Sequence, residues 1–277
     1  MQEAIDFRDE SEALYALIAD LGPADLDAAT GFKGWTINDI VRHLHFWNRA
    51  ADLSLTDEAG FLQLAGEAMR GLEKVGIRAR ETALLGELSG PALLQAWHAR
   101  YADMGARWSA LDPKQRVKWV GPDMSVRSSI TARHMETWAH GLAVFDLLGV
   151  EREEHDRIRN IVVLGVNTFG WTHKVHGVET PASMPRLRLR APSGATWEFG
   201  EPSADERIEG SAVEFCQVVT QTRNVADTSL AVKGPVATRW MAIAQCFAGP
   251  PERPPAPGAR HRAESRPPVA RRSDAIG

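Results

Sequence analysis

His134-Met-Glu-Thr-Trp-Ala-His140 lies inside a run from Ser125 to Leu148 that reads as one long helix, stopped by Gly149. Glu136 and His140 are four residues apart. On a helix they are separated by about 40° around the axis, with Cβ atoms roughly 5–6 Å apart, so both leave the same face. Ala143 and Leu147 continue the flank of that face inward. His134 is about 200° from Glu136 and points away from it. A Glu–His pair of this spacing serves a hydrogen-bonded couple on a buried face, or two ligands of a metal that needs a third from another helix.

The third candidate lies almost a hundred residues earlier. Thr36-Ile-Asn-Asp39 has the spacing of a capping box, in which Thr36 accepts from the Asp39 backbone and Asp39 reaches back, and it predicts a helix start. Along that helix His43 and His45 differ by about 200°. His43 shares its side with Ile40, Leu44 and Trp47, whereas His45 keeps company with Arg42, Arg49 and Asp52. We therefore expect His43 to face inward and His45 outward. Asp39, one turn before His43, is placed to hydrogen-bond the free ring nitrogen from outside the ligand set, in competition with its capping role.

Helical patterns fill the rest of residues 1–178. Leu14, Ala16, Leu17 and Leu21 form an amphipathic stretch closed by Gly22-Pro23. Residues 58–85, 90–111 and 153 to about 170 predict further helices, and short connections between such runs favour a bundle. After Pro181 the pattern changes. Arg186-Leu-Arg-Leu-Arg190 and Thr196-Trp-Glu-Phe199 alternate with period two around Pro192-Ser-Gly194, which predicts a β-hairpin. A helix over Ser211–Gln221, a short strand at Leu230-Ala-Val232 and a last helix from Gly234-Pro235 to about Phe247 complete a small α+β domain over 183–248. Residues 249–277, rich in proline and arginine, are expected to be a disordered tail.

Composition narrows the function. The 277-residue chain is 44% hydrophobic and 25% charged, as an ordinary globular protein is. Its formal net charge of -4 argues against a nucleic-acid partner. No apolar run suits a membrane span, and the acidic start lacks a signal core. Two cysteines, Cys216 and Cys246, in no metal-binding spacing, suit a reducing cytoplasm. There is no HExxH motif, and His134-Met-Glu136 lacks the PCxxC partner of a zinc deaminase.

Gly34-Trp-Thr-Ile-Asn-Asp-Ile-Val-Arg-His-Leu44, taken with Met135-Glu-Thr-Trp-Ala-His-Gly141, resembles the metal-binding domain of the mycothiol-dependent maleylpyruvate isomerases, within the DinB-like four-helix-bundle superfamily. Pro192-Ser-Gly-Ala-Thr-Trp-Glu-Phe-Gly200, Gly210-Ser-Ala-Val-Glu-Phe-Cys216 and Ala244-Gln-Cys-Phe-Ala-Gly249 resemble the small second domain of a two-domain branch of that group. The resemblance implies a mainly α fold, with a DinB-like four-helix bundle, a small C-terminal α+β domain and the tail. It implies a divalent metal held by His43, Glu136 and His140. Zn²⁺ is the expected ion, and Ni²⁺, Fe²⁺ and Mn²⁺ suit the same donors. It further implies a cytoplasmic, actinobacterial isomerase or S-transferase with mycothiol as thiol cosubstrate and a small electrophile as second partner. Recognition of an anionic electrophile needs a cation, for which Arg133, Arg223 and Arg239 are the candidates. The competing expectation is a non-catalytic metal- or ligand-binding module with a structural or vestigial metal. Either protein is expected to be a monomer or homodimer without nucleic-acid or membrane partners.

Overall fold

The computed structural model describes residues 1–263. Helix α1 (Gln2–Ile18) is followed by the single turn α2 (Pro23–Leu26) and by α3 (Ile37–Thr56). The Thr36 hydroxyl accepts from Asp39 N–H at 3.0 Å, and the Asp39 carboxylate accepts from Thr36 N–H at 3.0 Å, so the expected capping box forms. Such a cap is worth about 1 kcal/mol and sets the phase of every residue that follows on α3.

The stretch 58–85, expected as one helix, is three: α4 (Glu58–Met69), α5 (Leu72–Val75) and α6 (Ile77–Leu85). Gly71 and Gly76 separate them with φ of 62° and 76°, a conformation that breaks a helix and that glycine adopts without strain. The elbow turns α6 back against both α3 and α4. Next come α7 (Gly90–Ser109), a small antiparallel pair β1 (Arg116–Val117) and β2 (Met124–Ser125), and α8 (Val126–Leu148). Ser125 caps the start of α8, and Gly149, at φ 68°, ends it.

Helices α1 and α3 each pack against both α7 and α8, which closes a four-helix bundle. Its core includes Phe7, Leu14, Ile40, Leu44, Trp97 and Ile130, all fully buried. Because α3 also touches α4 and α6, it is surrounded, and the expectation that only one side of it is buried does not hold. His45 is buried too, on a different side from His43, in the field of Arg100 and Arg49.

The run expected as one helix from 153 to about 170 opens with a 3₁₀ turn at Asp156–Ile158 and continues as α9 (Arg159–Asn167) and α10 (Phe169–Val175). The sheet after it has the order β4-β3-β5-β6, with β3 (Arg186–Arg190), β4 (Thr196–Phe199), β5 (Arg207–Ser211) and β6 (Ala231–Lys233). The β3–β4 hairpin pairs as the alternation predicts. β5, which the pattern did not reveal, runs parallel to β3, and β6 closes the other edge antiparallel to β5. Leu187, Leu189, Trp197 and Ile208 point into a second core with residues of α11 (Ala212–Val219) and α12 (Pro235–Ile243). Helices α9 and α10 fall on the bundle side of the expected boundary near residue 180, yet Ile161, Val162 and Phe169 belong to this second core, as do Met135 and Trp138 of α8. Helix α8 therefore supplies side chains to both cores.

The expected disordered tail needs correction over its first part. Residues 249–263 contain no helix or strand but lie against the body. Glu252 N–H donates to the Gln245 side chain at 2.9 Å, Asn224 donates to Pro255 O at 2.8 Å, and Ala263 N–H donates to Asp146 O at 2.8 Å. Extended, proline-rich chain can be held in this way because body side chains meet its few backbone polar groups. Residues 264–277 of the expected tail lie outside the described residues.

Candidate metal centre

His43 projects from α3 toward α8, where Glu136 and His140 leave the face that helix geometry assigns them. The three side chains offer ligand atoms that all lie within 4.8 Å of one another. His140 Nε2 is 3.0 Å and His43 Nε2 is 3.5 Å from Glu136 Oε2. A tetrahedral divalent ion with bonds of about 2.0–2.2 Å holds its donors roughly 3.3–3.6 Å apart, a spacing that the two separations from Glu136 bracket, and two imidazoles with a carboxylate are a donor set that suits such an ion.

Glu81, 1% exposed on α6, holds the other nitrogen of His43. Its Oε1 is 2.7 Å from His43 Nδ1 and accepts Trp47 Nε1–H at 2.8 Å. This bond holds the proton on Nδ1, so the proton that His43 gives up to a metal is the one on Nε2, the nitrogen facing Glu136, and the ring is oriented as a ligating histidine is. Asp39, expected in that role, is occupied elsewhere. Its carboxylate accepts from Thr36 N–H, Arg42 and Arg78, and the capping box prevails over the histidine. Sequence reasoning missed Glu81 because it sits in the polar string Arg78-Ala-Arg-Glu-Thr82, and only the elbow at Gly71 and Gly76 brings it to α3.

Burial opposes charge throughout the cluster, and partners decide which groups keep it. Burial alone would lower the His43 pKa, but Glu81 and Glu136 outweigh it and raise it to about 9. Glu136 is likewise penalised by burial, yet His140, His43 and Arg133 hold it well below the usual carboxylate range. Burial lowers His140, with the neighbouring His43 charge acting in the same direction. The site thus presents an ionised carboxylate and a neutral imidazole, and a cation binding there displaces one proton from His43.

Aromatic rings fix the imidazoles from the open side. Trp35 is stacked parallel to His140 at 5.8 Å, and Phe32 meets His140 edge-on at 4.8 Å. Beyond them lies a cavity of about 510 Å³, with His43, Glu136 and His140 in its wall. The bundle supplies one side, and Trp171, Thr220–Thr222 and Phe247–Pro250 supply the other.

The remaining expected residues are scattered. His134, fully buried, faces α1, with Nε2 4.0 Å from Glu10, in agreement with its predicted orientation away from Glu136. Arg133 is buried against Trp119, its Nε and Nη1 without hydrogen-bond partners, and does not line the cavity. Arg223 pairs with Asp146 at 2.7 Å in the wall of a neighbouring cavity of about 210 Å³. Arg239 is exposed on α12 and lines neither cavity. The arginine that does line the main cavity is Arg260, from the segment expected to be disordered. Both cysteines are buried, and burial pushes both thiols up.

Residues 7–145 match the family model of the mycothiol maleylpyruvate isomerase N-terminal domain. The chain belongs to this family. Two uncharacterized proteins of Mycobacterium tuberculosis, one from each of two strains, are 41% identical to this maleylpyruvate isomerase-like chain over 249 residues, covering 90% of it and 96% of each relative. Crystal structures of a mycothiol-dependent maleylpyruvate isomerase and of a histidine-to-alanine mutant of it align with TM-scores of 0.49, at 17% and 16% identity, over 78% of this chain and 87% of theirs. In this maleylpyruvate isomerase-like protein the matched residues contain His43, Glu81, Glu136 and His140, whereas Trp171, Gln221, Phe247 and Arg260, which complete the cavity, lie beyond them. No helix among the described residues is long and apolar enough to cross a membrane.

Proposed function

We propose that the protein binds one divalent metal, with zinc favoured, through His43 Nε2, Glu136 and His140, and uses the adjoining cavity for a thiol-dependent isomerisation or transfer on a small electrophile. The observation that carries this reading is the convergence of the three donors in the wall of a cavity of about 510 Å³. A structural metal site is closed by protein ligands, whereas three donors facing open space leave a position for an exogenous atom. A metal held there supplies Lewis-acid chemistry, lowering the pKa of a thiol or water brought to it.

The residues of the chain do the rest. Glu81 fixes the tautomer of His43, Trp35 and Phe32 hold the plane of His140, and Arg133 adds positive charge behind Glu136. The thiol has to come from outside. Cys216 and Cys246 are buried and kept in the unreactive protonated form, so neither is a nucleophile for this cavity. The family to which the chain belongs makes mycothiol the first thiol to test.

The test is Co²⁺ substitution. A sample carrying one Co²⁺ per chain should change its visible spectrum on addition of mycothiol, and His43→Ala should carry no Co²⁺. Stoichiometric metal whose spectrum is indifferent to thiol would make the site structural and reject the catalytic reading.

A further inference from the structure

The cavity beside the candidate metal centre has two unlike regions, and each shows a group that the protein itself leaves unsatisfied. The first is a cation. Arg260 donates through Nη1 to Gln221 O at 2.8 Å, and its guanidinium lies 5.0 Å from the Phe32 ring centre, on the ring that also meets His140. Its surroundings are dry enough that burial lowers its pKa, yet among the described residues no carboxylate pairs with it. The two acids whose charge acts on it are paired with other cations, Glu252 with Lys33 and Asp146 with Arg223. A half-buried guanidinium that opens onto a cavity without a counter-ion is a site for a ligand anion, and its planar fork matches a carboxylate.

The second is an apolar surface. Met69, Leu72 and Ile77 from the elbow, with Val120 and Pro122 from the β1–β2 connection, line the same cavity. None of these five is buried, and Met69 is 45% exposed. An elbow that turns apolar side chains toward an accessible cavity gains little by it in the free protein. A ligand with an apolar body, covering them, removes that surface from water.

We infer that the second reactant of this cavity is an amphipathic carboxylic acid, with its carboxylate at Arg260 and its hydrocarbon body against Met69, Leu72, Ile77, Val120 and Pro122. This deepens the function proposed above by naming the class of substrate, and it rests on that reading only for the claim that the bound acid reacts. Charge selects the head and the exposed apolar side chains select the tail, so neither a short polar diacid nor a neutral lipid satisfies both.

The test is calorimetric titration of the full chain, with its metal content measured, using butanoate, hexanoate, octanoate and, as the uncharged comparison, 1-octanol. Affinity should rise about two- to fourfold per methylene, and octanoate should bind at least tenfold better than octanol. Arg260→Gln should remove the preference for the acid while keeping the chain-length trend, and Arg260→Lys should keep part of the preference. Ile77→Asp should flatten the trend, and a melting curve for each variant separates loss of the site from loss of the fold. Equal affinity for butanoate and octanoate would overturn the apolar half. A preference for the acid that survives Arg260→Gln but disappears in His43→Ala would place the head group at the metal centre and overturn the Arg260 half. Chain-length-dependent binding by a full chain that takes up no Co²⁺ when the ion is supplied would leave this inference standing and reject the proposed metal function.

Discussion

The Glu81 carboxylate lies 2.7 Å from His43 Nδ1, although 38 positions separate the two residues in the chain. Removing its charge while keeping its shape tests whether the bond prepares His43 as a ligand. Glu81→Gln should leave the helical content unchanged and weaken metal binding by roughly 10- to 100-fold. Competition with a chelator of known affinity measures this, and unchanged affinity would reduce Glu81 to a partner of Trp47.

The facing of the histidines gives a contrast within one experiment. His43→Ala and His140→Ala should lose the metal, whereas His45→Ala and His134→Ala should keep one ion per chain. His134→Ala should still lower stability by a few kcal/mol, because its fully buried ring leaves a cavity beside Glu10. Metal content by elemental analysis, read beside thermal melts, distinguishes the two classes.

Acid sensitivity follows from Glu10. It is 2% exposed; burial would raise its pKa, but Arg152, His134 and Arg157 prevail and lower it to about 2 from 4.5. A carboxylate with a depressed folded-state pKa contributes stability that is present in full above about 4.5 and is lost as pH falls toward 2. Glu10→Gln should therefore destabilise the protein by about 3–5 kcal/mol at pH 7, as expected when one partner of a buried ionic cluster is removed. The difference from the parent chain should shrink below pH 4.5. Urea unfolding at a series of pH values measures it, and a pH-independent difference would exclude Glu10 ionisation as the source.

Truncation after Gly249 tests the packed segment. It removes the Glu252, Pro255 and Ala263 hydrogen bonds and the Arg260 contacts. The melting temperature should fall by several degrees, at about 2–4 °C for each kcal/mol lost in a chain of this size. Truncation after Ala263 should retain these contacts, and equal melting of the two shortened chains would show that residues 250–263 add no stability.

Local rules carried much of this architecture. The capping box at Thr36 and Asp39, the caps of α8 at Ser125 and Gly149, and the alternation on β3 and β4 are written in adjacent residues, since each depends on bonds within a few positions. The same locality set the phase of His43 on α3 and of Glu136 and His140 on α8, because 3.6 residues per turn fix which side chains share a face. That these faces would meet was implied by the family resemblance, and spacing alone left it open. Tertiary packing decided the rest. Glu81 reaches His43 because two glycines fold α6 back, His45 is buried because α3 is surrounded, and Arg260 enters the cavity because distant polar groups hold an extended chain in place. In each of these cases the deciding partner lies tens of positions away, and no periodicity within a segment encodes which other segment will cover it.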